Sequence, residues 1–330
     1  MKNILFSTTR QWNVGDEFIY HGIKRLFDDL GLCRNDIVFN RHPSIFRESA
    51  KPKLDNSFHL DRSNIIDYVV FAGSPAWSDK SSARRCVEFV NRESISCSFL
   101  GIGEHFDSLI SEQMLGVFRN LTDHIVVRDK ALFKKLKAHK LNDIRCLPCP
   151  ALFSAAPNFI SKRTKVKKVG LVFQADQVKH HNVTSDVVSA IVEFAKRIGD
   201  EFDLQIVSHY IDDFLMAKDL LPNFTHVHSS DSHDYYEIYK NFDLVISPRV
   251  HGCGCAASMG IPSYHIGHDM RGGTTEGFLS KSIAAAELSK FSVPLDVTEW
   301  SKELIEHRRE SHSRYMAILS PLAEKLGRVE

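Results

Sequence analysis

Along the chain, short uninterrupted apolar runs alternate with segments whose apolar residues recur every three to four positions. An uninterrupted run suits a strand buried on both faces, and the three-to-four spacing suits an amphipathic helix. In the first half this predicts strands at 3–8, 68–73, 97–102, 123–128 and 144–147, with helices at 16–30, 81–92, 107–119 and 129–139. Strands alternating with helices imply a parallel sheet covered on both faces. Pro148, Pro150 and Pro157, followed by the basic stretch 161–168, interrupt the pattern. A second series then predicts strands at 169–173, 204–209, 225–228, 243–247 and 263–266, and helices at 184–198, 212–220, 233–241 and 251–259. The expectation is an α/β chain of two Rossmann-like domains facing each other across a cleft. Their bounds are 1–158 and 159–298, and C-terminal helices at 299–330 pack back on the first domain. Ligands of such sheets bind beyond the carboxyl ends of the strands, so residues there are expected to carry the chemistry.

The most informative of these strand ends is Ser247-Pro248-Arg249-Val250-His251-Gly252. It lies between the apolar run Asp243–Ile246 and a small-residue helix with its stop at Gly260 and Pro262. Arg249 and His251 therefore stand at a helix N-terminus, where the backbone N–H groups and the helix dipole favour an anion. Arg271, beside Gly272 and Gly273, is a second candidate anion contact, because arginine grips carboxylate and phosphate with a two-pronged fork. Gln174 and His209-Tyr210 close two other strands. In the first half, Asn13, Gly15 and Asp16 follow the first strand. Asp16 reads either as the N-cap of a helix beginning at Glu17 or as a carboxylate that takes a hydroxyl proton. Trp77 follows the second strand, and either stacks on a sugar ring or base or packs in the core. Glu104 and His105 follow the third, as an acid–base pair or a surface pair. Arg128-Asp129 closes the fourth, as a guanidinium at the cleft or a local ion pair.

Composition narrows the partners. Basic and acidic residues number 42 and 41, a net charge of +1, which argues against nucleic acid as the partner. No apolar run approaches the roughly 20 residues of a membrane span, so no integral membrane segment is expected. The apolar start at residues 1–6 is too short for a signal peptide. The seven cysteines sit mostly in or beside apolar runs, as reduced buried thiols do, which points to the cytoplasm. Neither Cys146-x-x-Cys149 with Cys253-x-Cys255 nor the 17 histidines follow a metal-site spacing, and no metal is expected. The single glycine of the first loop excludes a dinucleotide fingerprint and a Walker loop. No nucleophile elbow is present either.

Four motifs together resemble the polysaccharide pyruvyl transferase family. They are Asn13-x-Gly15-Asp16, Val127-Arg128-Asp129, Leu147-Pro148-x-Pro150-Ala151, and Ser247-Pro248-Arg249-x-His251-Gly252 running on to Ala257-x-x-Gly260-Ile261-Pro262. The resemblance spans residue 3 to about residue 285. It implies a GT-B-type fold and transfer of pyruvate from phosphoenolpyruvate onto two hydroxyls of a sugar. The product would be a cyclic ketal on a cell-surface polysaccharide or its precursor. On this reading Arg249, Val250, His251, Gly252, Arg271 and Gln174 bind the donor, and Asn13, Asp16, Trp77 and His105 bind the acceptor. His251, Asp16 and Glu104 carry the acid–base steps. No cofactor is implied beyond phosphoenolpyruvate itself as donor. The acceptor is a sugar or a lipid-linked oligosaccharide, consistent with peripheral contact at the inner face of the membrane.

The donor's phosphate and carboxylate need cations and N–H groups, for which Arg249, Arg271 and the amides of Gly252 and Cys253 are the candidates. His251, of a type with a pKa near about 6.5, is the candidate proton donor. The sequence departs from the family pattern at Cys149, where aspartate is common, and at Gln174, where arginine is frequent. Two other readings stay open. One is a GT-B glycosyltransferase whose nucleotide-sugar diphosphate occupies the same loop; the other is a non-catalytic glycan- or anion-binding protein.

Overall fold

The computed structural model describes residues 1–9, 13–40, 65–73, 84–103, 110–141, 143–175, 183–268 and 270–327, and turns the apolar runs into strands buried along nearly their whole length. By contacts the chain divides into two units. One comprises Met1–Trp12, Asp16–Ser154 and Glu310–Glu330, the other Asn13–Gly15 and Ala155–Arg309.

In the first unit, β1 (Lys2–Thr8), β2 (Arg34–Asn40), β3 (Tyr68–Ala72), β4 (Cys97–Ile102), β5 (Thr122–Val127) and β6 (Ile144–Cys146) form one sheet. All its pairings are parallel, in the order β2-β1-β3-β4-β5-β6. The connections include α1 (Val14–Asp29), α2 (Arg84–Glu93), α3 (Glu112–Asn120) and α4 (Lys130–Ala138). β3 and β4 are buried at every position, and Phe71 stacks on Phe99 with ring centroids 4.3 Å apart. Each such aliphatic or aromatic side chain contributes roughly 1.5–3 kcal/mol by leaving water.

The second unit repeats the plan. Its strands are β7 (Lys168–Phe173), β8 (Asp203–Ser208), β9 (Thr225–His228), β10 (Leu244–Ser247), β11 (Ser263–Gly267) and β12 (Lys281–Ala284). Its helices include α5 (Ser185–Ile198), α6 (Ile211–Leu220), α7 (Asp234–Tyr239) and α8 (Val250–Ser258). The sheet is parallel throughout, in the order β12-β11-β10-β7-β8-β9. Counted from β9 this is the 3-2-1-4-5-6 order of dinucleotide-binding sheets, with the chain direction of winding reversing between β7 and β10. A crevice opens beyond the carboxyl ends of the strands at such a reversal, and ligands lodge there.

Two strands escape the apolar pattern, β2 and β12. β2 opens with Arg34-Asn35-Asp36, and in β12 only Ile283 is buried. Both lie at sheet edges, where one neighbour and partial burial demand fewer apolar positions. The start of α1 is a correction. The helix begins at Val14, so Asp16 is its third residue and not the N-cap of a helix starting at Glu17. Its carboxylate still lies in the first turn, where the helix dipole favours a negative charge.

α8 ends as the sequence signals. Gly260 has a φ of +77°, a conformation costly for other residues, and a Cβ there would stand 2.8 Å from Ile305 Cγ1. The C-terminal segment is one helix, α9 (Thr298–Leu326), with Pro321 inside it. Ser301 of α9 donates from Oγ to the Gly260 carbonyl at 2.6 Å within the second unit. Tyr315 donates from its hydroxyl to the Pro148 carbonyl at 2.8 Å within the first. Among the described residues no helix is long and apolar enough to cross a membrane.

Candidate active site

β10 delivers the chain to the reversal point of the second sheet, and a hydroxyl sets the turn that follows. Ser247 Oγ donates to the Arg249 carbonyl at 2.7 Å and accepts from the Arg249 N–H at 3.0 Å. Arg249 itself occupies the N-cap position, with φ −95° and ψ 122°, and α8 begins behind it. Gly252 closes against this turn. A Cβ on it would lie 2.4 Å from Ser247 Oγ and 3.2 Å from Val172 Cγ2. Gly252→Ala is therefore expected to displace the first turn of α8 and to cost about 1–3 kcal/mol of stability, as overpacking does. Chemical denaturation read beside the wild type checks the figure; an unchanged midpoint would show that the turn relaxes without cost.

The amides of Gly252 and Cys253, expected to contact the donor, do otherwise. They donate to the Arg249 carbonyl at 3.0 and 3.4 Å and so close the first turn of the helix. The N–H groups that point beyond a helix end belong to its very first residues, which here makes Val250 the backbone candidate. Val250 is buried as a side chain and can serve an anion only through its main chain.

Arg249 is not an open cation. It is 8% exposed, its Nη2 pairs with Asp213 Oδ2, and its guanidinium carbon lies 4.1 Å from the centre of the Tyr210 ring. Asp213 lies in the first turn of α6 and is fully buried. Its Oδ1 accepts from the Ala175 N–H at 2.9 Å. Burial pushes the Asp213 carboxyl up from the usual range, while the Arg249 charge pulls it back. Arginine suits this place because it keeps its charge and can lie against an aromatic ring while one terminal nitrogen holds a carboxylate and its other N–H groups stay available.

Around this pair lie buried polar atoms with no hydrogen-bond partner: Arg249 Nε, both amide atoms of Gln174 and Ser208 Oγ. Gln174 follows β7, Ser208 ends β8 and Arg249 follows β10, three neighbouring strands, so the three groups share one end of one sheet. Each such unmet group costs about 1–3 kcal/mol, and clusters of them mark places where a polar partner is taken up.

His209 follows β8 and shares a hydrogen bond of 3.0 Å between Nε2 and the Tyr239 hydroxyl. Burial drives its pKa well down, and the nearby charges of Arg249, His251 and His228 act in the same direction. It stands as a neutral imidazole, edge-on to Tyr235 at 5.0 Å. His251 is the second residue of α8 and half-buried. Gly15, which by contacts falls in the second unit, lies against it, and a Cβ on Gly15 would come within 2.5 Å of the imidazole Nδ1.

Of the other predicted site residues, Asp16 accepts a hydrogen bond at Oδ2 from Thr9 Oγ1 at 2.8 Å, and Asn13 immediately precedes α1. Asp129 caps α4, its Oδ1 accepting from the Leu132 N–H at 2.8 Å. Arg128 hydrogen-bonds the Cys149 side chain, whose thiol burial pushes up. Trp77, Glu104 and His105 lie outside the described residues, and of Arg271 only the backbone is described, in the 3₁₀ segment Met270–Phe278. All seven cysteines are free thiols, and among the described residues no group of three or more His, Cys, Asp or Glu is arranged to hold a metal ion. Asp213 and Tyr239 were not singled out from the sequence. Asp213's one signal was its position a few residues beyond a strand end, the same placement that drew attention to Arg249.

No curated protein matches the chain. Solved structures with the same fold include the UDP-GlcNAc 2-epimerase of Neisseria meningitidis bound to UDP-GlcNAc, with a TM-score of 0.56 and 13% identity over 98% of this chain and 99% of that one. The S. aureus MnaA–UDP co-structure has a TM-score of 0.57 and 16% identity over 96% and 91%. The E. coli heptosyltransferase WaaC with ADP has 0.50 and 14% over 93% and 99%. At such identities the likeness is one of fold, and it makes the two parallel α/β units a GT-B-type architecture. The family model described as polysaccharide pyruvyl transferase matches residues 13–270, from the loop after β1 through α8 and β11. With most of its length matched and the Ser247–Gly252 turn inside the match, the chain belongs to the polysaccharide pyruvyl transferase family.

Proposed function

We propose that the protein moves pyruvate from phosphoenolpyruvate onto two hydroxyls of a sugar in a polysaccharide or its precursor, forming a cyclic ketal. The observation that carries the proposal is the meeting of Arg249, the α8 N-terminus and His251 at the reversal point of the second sheet. A small dianionic donor suits a guanidinium beside a helix N-terminus. The NH₂ of Gln174 is a neutral donor for the same carboxylate or phosphate. Arg271 is proposed as a further cation, and Asn13, Trp77 and His105 as acceptor contacts, on sequence grounds.

The chemistry follows from the donor. His251 delivers a proton to the methylene carbon of the enol, leaving an oxocarbenium-like carbon that the first sugar hydroxyl attacks. Asp16, or Glu104, takes the proton of that hydroxyl. The C–O bond to phosphate then breaks, phosphate leaves with one proton, and the second hydroxyl closes the ketal on the same carbon. The two hydroxyl protons are thus accounted for, one in the new methyl group and one on phosphate. Fixed cations and backbone dipoles stabilise the leaving anion without reorganising. We place this reaction in the cytoplasm, with a lipid-linked acceptor bringing the protein to the inner face of the membrane.

A second reading rests on Gln174, whose amide offers an unmet donor and an unmet acceptor side by side, the pattern that a nucleobase edge satisfies. It would make the protein a glycosyltransferase using a nucleotide sugar. The two readings separate by thermal shift. Phosphoenolpyruvate is expected to raise Tm where UDP and GDP sugars do not, and to release inorganic phosphate when a sugar acceptor is added. Stabilisation by the nucleotide sugars alone would favour the second reading.

A further inference from the structure

We propose that Asp213 is the counterion that an anionic donor displaces from Arg249, and that its carboxylate takes up one solvent proton when the donor binds. This rests on the reading that Arg249 receives the donor.

Asp213 has no exposed surface, and both its oxygens are committed, Oδ1 to the Ala175 N–H and Oδ2 to the Arg249 guanidinium. The guanidinium carbon also lies over the Tyr210 ring, 4.1 Å from its centre, while its Nε has no partner. In the absence of a donor, then, the Arg249 charge is already balanced. An anion that joins it makes two negative groups share one cation in a place shielded from water.

The surroundings decide what happens next. Arg249 after β10 and Tyr235 on α7 act on Asp213 directly; His209 after β8 and Tyr239 on α7 neighbour Arg249, and His228 on β9 and His251 on α8 neighbour His209. His209 is neutral because burial opposes its charge, and burial pushes both tyrosine hydroxyls up, so they stay protonated. Among these groups Arg249 is the fixed cation. Two anions close together on one cation cannot both remain ionised cheaply, and the one already pushed toward its neutral form by burial takes the proton. The carboxylate plus one proton gives a carboxylic acid, and the guanidinium passes from Asp213 to the donor. A protonated Asp213 still accepts the Ala175 N–H, so the segment carrying Gln174 keeps its place. Asp213 is in this sense a positioning residue for Arg249.

Calorimetric titration of phosphoenolpyruvate into the full chain tests this, in buffers of different ionisation enthalpy and at a pH where the ligand is fully ionised. The slope of observed enthalpy against buffer enthalpy counts the protons. The wild type is expected to take up about one proton per ligand, and Asp213→Asn almost none. His251→Gln is expected to retain the uptake, which keeps the imidazole from being mistaken for the acceptor. Binding without uptake by the wild type, or undiminished uptake in Asp213→Asn, would overturn the inference and leave donor binding standing. A wild type that does not bind phosphoenolpyruvate would overturn the reading beneath it as well. If Asp213→Asn does not fold, difference infrared spectra of the wild type decide. A protonated-carboxyl band is expected on adding ligand, and its absence sinks the proposal.

Discussion

Arg249→Met is expected to abolish transfer and to destabilise the second unit by roughly 3–5 kcal/mol, the cost of leaving a buried charge without its partner. The reason is Asp213, which is fully buried and has Arg249 as its counterion. The sign of the pH dependence follows from the same pair. Burial already raises the Asp213 carboxyl, and without the guanidinium nothing of opposite charge at Oδ2 pulls it back. A carboxyl raised above its unfolded value binds protons more readily in the folded state, so the deficit of Arg249→Met should shrink as pH falls from neutrality toward the ordinary carboxylate range. Denaturant titrations at two pH values measure it. A deficit that grows on acidification would contradict the assignment. The double variant Arg249→Met with Asp213→Asn separates stability from function, because removing both charges relieves the unpaired carboxylate. It is expected to recover most of the lost stability and none of the phosphate release. Arg249→Lys keeps the charge but loses the guanidinium over Tyr210 and its spare N–H donors, and should remain well below wild-type activity.

His251→Ala should lower kcat by about 10²–10⁴-fold, the range of a positioned acid or base, with a much smaller change in KM. The side chain is half-buried on the second residue of α8, so its loss leaves no large cavity and the fold should tolerate it. That contrast distinguishes it from Arg249, where activity and stability fall together. Gly15 narrows the meaning of the result, since its Cα borders the imidazole and a Cβ there would reach Nδ1. If His251→Ala released phosphate from phosphoenolpyruvate at the wild-type rate, the proton would have to come from another group.

Much of the fold was legible because both sheets are parallel and buried on both faces. That condition writes β3, β4, β7 and β10 as unbroken apolar runs and separates them by amphipathic helices. The edge strands β2 and β12 were illegible for the complementary reason: with one neighbour and less burial, their polar residues cost little. The helix start was misplaced because two residues of N-cap type, Asn13 and Asp16, stand three positions apart, and α1 begins directly after the first of them. At the site, the Ser247–His251 turn was readable as a strand end meeting a helix. The role of its amides was not, because it depends on where α8 starts: with Arg249 as N-cap, Gly252 and Cys253 spend their N–H groups on the Arg249 carbonyl.

By itself the sequence determined which residues could be charged, which runs must leave water, and that Arg249 and His251 sit where a strand hands over to a helix. Those are local facts, set by side-chain chemistry and by the periods of helix and strand. Tertiary structure alone decided that β10 lies beside β7 and β7 beside β8. That order brings Asp213 to Arg249 from 36 positions away, and places Gln174 and Ser208 at the same end of the sheet. Strand order leaves no periodic trace in a chain, since every buried parallel strand reads alike. The partner that balances a buried charge is therefore known only once the sheet is assembled.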